Sequence, residues 1–132
     1  MSQAQLDTVR RYLACLNAGD TEGLIACFEA DGQVISPFLG TMKPRPFFTK
    51  LAEASGPSSI TPIDLFHGVQ PDGASERVAA YFRYHWTLKD GRKVPFTCVD
   101  VFEFAPGSDR IRTMNIVYDT HPIRMDVGDK YR

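Results

Sequence analysis

The sequence has no apolar run near the roughly 20 residues a membrane helix needs. It also has no stripe of basic residues. Lysine and arginine number 15 against 16 acidic residues, a formal net charge of −1. Nothing therefore favours nucleic acid as a partner. Only three histidines are present, His67, His85 and His121. None stands at ligand spacing from a carboxylate on one element, so no metal site is expected. The three cysteines, Cys15, Cys27 and Cys98, are odd in number and lack metal-type spacing. They exclude a disulfide framework and read as small buried hydrophobes of a reducing compartment. The stretch MSQAQLDTVRR has no apolar signal core, so the expected location is the cytoplasm. There is no glycine-rich phosphate loop, no repeat and no low-complexity linker, and no cofactor is expected.

What is present is an ordinary globular composition. Of 132 residues, 43% are hydrophobic and 23% charged. That predicts one domain over residues 1–132, with enough chain to bury a core and leave a small cavity. Leu6, Val9, Leu13 and Leu16 recur at helical steps, with Tyr12 and Cys15 on the same flank. Gly19 should end that helix, and Asp20 or Thr21 should cap a second one carrying Leu24, Ile25, Cys27 and Phe28. Asp31-Gly32 reads as a turn, and Val34-Ile35-Ser36 as a short strand stopped by Pro37. Pro44 and Pro46 suit the start of a third helix with Phe47, Phe48, Leu51 and Ala54 on its apolar face.

Four strands should follow. The first is Ile60 to Val69, with Pro62 weakening its start. Arg77 to Leu88 alternates, with Phe82, Tyr84 and Trp86 on one face and Arg83 and His85 on the other. Asp90-Gly91 signals a hairpin into Lys93 to Phe104, where Phe96, Cys98, Asp100 and Phe102 share a face. Ile111 to Tyr118 closes the sheet, with Met114, Ile116 and Tyr118 in register. The polar tail from Thr120 should wrap the surface or a partner. Helices followed by a long antiparallel meander make an α+β fold. A strongly bent sheet under short helices leaves a hollow, which is a default ligand site.

Three stretches carry a family resemblance. They are Arg11-Tyr12-Leu13 through Leu16-Asn17-Ala18-Gly19-Asp20, then Val34-Ile35-Ser36-Pro37-Phe38, then Val99-Asp100-Val101-Phe102 with Arg110-Ile111-Arg112-Thr113-Met114. Their order and spacing resemble the bacterial ketosteroid isomerases and SnoaL-like polyketide cyclases of the nuclear transport factor 2-like superfamily. The resemblance implies a cone-shaped, cystatin-like fold. Three N-terminal helices would pack on a strongly curved, mixed but mostly antiparallel sheet that encloses a pocket.

It also implies roles. Tyr12 and Asp100 match the family's oxyanion-hole tyrosine and aspartic acid. Ser36 stands where the family has its general-base aspartate, and Phe28 stands where some members have a supporting tyrosine. Isomerisation beside a carbonyl needs a base and donors for the enolate oxygen. Ketosteroid isomerase is itself the standard example of a carboxylic acid kept neutral by an apolar site so that it can donate. Here the oxygen-binding half is present. The proton-moving half is not, because an unactivated serine is too weakly basic. His67, Asp119 and His121 are the alternative bases, although alternation from an inward Tyr118 should turn Asp119 outward. Ser36, Phe38, Phe82, Tyr84, Trp86, Cys98, Met114 and Tyr118 are the expected pocket wall. The same aromatics would also serve a filled core.

The resulting expectation is an isomerase- or cyclase-type enzyme acting on an apolar carbonyl compound. The alternative is a non-catalytic binder of an apolar ketone, phenol or lipid-like molecule. A true ketosteroid isomerase is not expected without its base. Many members of this fold group dimerise through the outer sheet face. Val99, Val101, Ile111 and Val117 offer apolar surface there, so a homodimer is expected.

Overall fold

The computed structural model describes residues 3–69 and 76–124. Helix α1 (Gln3–Ala18) buries Thr8, Val9, Tyr12, Leu13 and Leu16, the three- and four-residue spacing of one helical face. It ends at Gly19, whose φ of 68° suits a residue without a Cβ. The Asp20 amide then donates to the Cys15 carbonyl and the Gly19 amide to the Leu16 carbonyl. That pair of bonds is the Schellman closure. Asp20 turns the chain into α2 (Thr21–Ala26) by accepting the Gly23 amide at 2.9 Å. Helix α3 (Pro44–Ala54) starts on a proline whose missing N–H costs nothing there, and it buries Phe47 and Phe48.

The strands are β1 (Phe28–Ser36), β2 (Gly40–Met42), β3 (Ser59–His67), β4 (Glu76–Thr87), β5 (Lys93–Phe104) and β6 (Ile111–Val117). They form one open six-stranded sheet in the order β2-β1-β6-β5-β4-β3. Only β1 and β6 run parallel, and all other neighbours are antiparallel. Three helices on a mixed, mostly antiparallel sheet give the cone-like α+β architecture.

Several local expectations are corrected. Helix α2 stops at Ala26, Cys27 caps it, and Phe28 opens β1 instead of closing the helix. Asp31-Gly32 is not a turn between elements. It lies inside β1, where the register jumps from Phe28↔Ile111 to Gln33↔Thr113, so the turn chemistry is spent on a bulge. The short β2 was not anticipated, and β3 ends at His67. Ile111 is fully buried instead of lying on the outer face. The β5–β6 register shifts after Glu103↔Thr113 so that Phe104 pairs with Ile111. Arg112 is the extra residue, and it turns Ile111 to the core side.

The main core joins α1, α3 and the concave face of the sheet around Val9, Tyr12, Phe48, Phe82 and Phe102. A second cluster packs Leu88, Val94 and Ile123, with Phe38, Trp86, Phe96 and Tyr118 against it. Ile123 belongs to a 3₁₀ turn (His121–Ile123), so the start of the tail docks on the sheet. The rest of the expected tail, 125–132, lies outside the described residues. No helix among the described residues is long and apolar enough to cross a membrane.

Candidate active site

The concave face of the sheet is read most easily in rows across the strands. Asp100 on β5 lies between Ala80 on β4 and Ile116 on β6. Two residues along β5, Cys98 pairs with Phe82, and two further on Phe96 pairs with Tyr84. Alternation puts all of these on one face, because successive strand side chains point to opposite sides. Helix α1 crosses this face. It sets the Tyr12 ring edge-on to Phe102 at 5.0 Å, with Phe48 at 6.1 Å and Phe28 at 6.4 Å. Phe28, at the family's supporting-tyrosine position, thus contributes a ring edge and no hydroxyl.

Between α1, α3 and this face lies a cavity of about 620 Å³. Tyr12 and Asp100 both line it, and each is 2% exposed. Of the expected wall, Ser36, Phe38, Phe82, Tyr84, Trp86, Cys98 and Tyr118 line it as well. Met114 does not. It is fully buried in the core, pairing with Phe102 one row deeper than Asp100, where the helices already cover the sheet. The wall is aromatic and ordered. Tyr84 and Trp86 stack at 6.3 Å and Phe96 stacks on Tyr118 at 4.5 Å. The Trp86 indole N–H donates to Ser55 Oγ at 2.8 Å, tying the sheet to the end of α3.

None of the proposed substitute bases is at this cavity. His67 is exposed at the end of β3, the sheet's edge strand, and pairs with Val78. Asp119 is exposed because Tyr118 points inward and no bulge intervenes. Its carboxylate accepts the His121 amide at 3.0 Å, an Asx turn that leads into the 3₁₀ turn. His121 is exposed too. The sequence reading missed Lys50 and Glu53, two exposed residues of α3 that line the cavity. Nothing in the sequence marks them, since a polar flank of an amphipathic helix most often meets bulk water.

Electrostatically the site is dominated by burial. Asp100 Oδ1 is buried with no hydrogen-bond partner among the described residues. Desolvation pushes its carboxyl up to about 8, so it holds its proton at neutral pH. Tyr12 is raised well above the ordinary phenol range, first by burial and then by the neighbouring Asp100. Burial, then Asp100, also lifts the Cys98 thiol, which excludes a ready thiolate nucleophile. Among the described residues, no group of three or more His, Cys, Asp and Glu could hold a metal ion. The arrangement therefore offers neutral hydrogen-bond donors at the closed end of an apolar cavity.

Comparison with known proteins places this fold. A nuclear transport factor 2-like protein from Burkholderia pseudomallei superposes with a TM-score of 0.75 at 20% identity, covering 95% of this chain and 97% of that one. SalBIII, an epoxide hydrolase/cyclase-like enzyme with a role in pyran-ring formation in the polyether salinomycin, gives 0.71 at 22% identity, covering 89% and 92%. A ketosteroid isomerase-like protein from Erwinia carotovora atroseptica gives 0.70 at 15% identity, covering 87% and 93%. At such identities the likeness is one of fold. No curated protein matches by sequence. The sequence profile of the SnoaL-like domain matches residues 9–114, and the chain belongs to that family.

Proposed function

We propose that this protein binds an apolar carbonyl compound by its oxygen, and that it is an enzyme of the isomerase or cyclase type. One observation carries the reading. A carboxyl group that is 2% exposed, with an oxygen unpartnered among the described residues, lines an apolar cavity that the buried Tyr12 lines too. Aspartate is rarely buried without a partner, because the desolvation cost is not returned. A ligand oxygen that accepts from the protonated Asp100 and from Tyr12 returns it. If that oxygen belongs to a carbonyl, both donors strengthen as enolate charge develops on it, which is the differential binding that catalysis needs. Membership of the SnoaL-like family and the cyclase-like neighbour support this class.

Loss of the expected base favours a second reading, a binder without turnover. Ser36 stands at the base position and neither His67 nor Asp119 lines the cavity, which leaves the exposed Glu53 of α3 as the other carboxylate at the lining besides Asp100. Two measurements test the oxygen site and the lost base. In a fluorescence titration with 2-naphthol, Tyr12→Phe and Asp100→Ala should each weaken binding about tenfold, the worth of one hydrogen bond to a buried group. Unchanged affinity in both variants sinks the oxygen site. With 5-androstene-3,17-dione, the wild type should show no isomerisation, while Ser36→Asp should gain it by restoring a carboxylate.

A further inference from the structure

The sheet row that carries Asp100 also carries Ser36. The parallel register pairs Val34 with Met114 and Ile35 with Asn115. One step further brings Ser36 level with Ile116, and Ile116 pairs with Asp100. Two strand spacings of about 4.8 Å each thus separate the two backbones. Ser36, Ile116 and Asp100 all line the cavity, so an apolar side chain lies between two polar ones.

The hydrogen bonding of Ser36 leaves its hydrogen available. Its Oγ accepts the Leu39 amide at 3.1 Å, a contact inside the β1–β2 hairpin. A hydroxyl has one hydrogen to give, and that bond uses a lone pair. The hydrogen is therefore free, with no acceptor among the described residues. An aspartate at this place could only accept when ionised, whereas a serine held in this way keeps its hydrogen to give along with one lone pair. Ser36 thus joins Tyr12, Asp100 and Cys98 as a lining group with a hydrogen to donate.

We propose that Ser36 is a second anchoring donor, so that the pocket selects flat apolar molecules with acceptor oxygens on two opposite edges. One oxygen lies at Tyr12 and Asp100, the other at Ser36, and the ring system between them covers Ile116. This rests on the oxygen site of the preceding section. A ligand with a bare hydrocarbon edge at Ser36 leaves that hydroxyl unpaired once water is displaced, which costs affinity. The serine therefore sets specificity at the place where relatives would put a base.

The probes are 2-naphthol, with one oxygen, and naphthalene-2,6-diol, with a second on the far edge, both followed by fluorescence titration. The wild type should bind the diol roughly five- to tenfold more tightly, the value of one hydrogen bond. Ser36→Ala should abolish that preference, weakening the diol and tightening 2-naphthol, whose bare edge no longer strands a hydroxyl. Tyr12→Phe should weaken both compounds alike. A diol preference that survives Ser36→Ala, or is absent in the wild type, overturns the role of Ser36. Insensitivity of both compounds to Tyr12→Phe and Asp100→Ala overturns the oxygen site instead. Failure of both to bind the wild type overturns both. Circular dichroism of Ser36→Ala guards against reading misfolding as lost preference.

Discussion

At the scale of single residues, Asp100 ties the site to the stability of the fold. In the unfolded chain its carboxyl titrates near the ordinary aspartate value of about 3.9. In the native protein burial holds it at about 8. Between those values the native state keeps a proton that the unfolded state has released. Stability is therefore complete below the lower value, falls as pH rises through the window and levels off above about 8. The slope is at most about 1.4 kcal/mol per pH unit. Asp100→Asn keeps the shape and one donor but cannot ionise, so its urea midpoint should lose much less between pH 5 and pH 8 than the wild type's. Parallel losses in the two proteins would show that Asp100 is not held neutral. Asp100 was legible in the sequence because Cys98 and Phe102 flank it on an alternating strand. Lys50 and Glu53 were not, since only the lie of α3 over the sheet decides whether its polar flank meets bulk water or the cavity.

At the scale of elements, the boundaries that rest on local chemistry were the ones to be read correctly. Gly19 ends α1 through its left-handed backbone and Pro44 opens α3. Asp20 holds the start of α2, a helix of 6 residues with little packing of its own. Asp20→Ala should therefore cost about 1 kcal/mol, measurable as a lower urea midpoint with unchanged slope. A change in slope would point to a wider loss of structure. What failed was the strand bookkeeping. The three-residue β2 is too short to show an alternation, and the bulges in β1 and β6 break the alternation on which strand reading depends. The same effect misplaced Ile111, since one extra residue at Arg112 reverses the alternation on which its placement depended.

At the scale of the whole molecule, the helices cover only the concave face. On the other face Val99 and Val101 are half-buried, and Val117 is 50% exposed. We propose that two copies pair through this surface. Light scattering should then give twice the chain mass, and Val117→Lys should shift the protein to the monomer while sparing 2-naphthol binding. A monomeric wild type at micromolar concentration would end that proposal. The amino-acid sequence by itself determined the fold class, most helix ends and the identity of the buried acid. Those depend on periodicity, capping and the cost of placing charge in an apolar strand, all of them local. Only the tertiary structure decided that Ser36 shares a row with Asp100, that Met114 is core, and that His67 ends at the exposed edge of the sheet, outside the cavity lining. Each of those depends on the register between strands distant in sequence, and one bulge is enough to move a side chain from one face to the other.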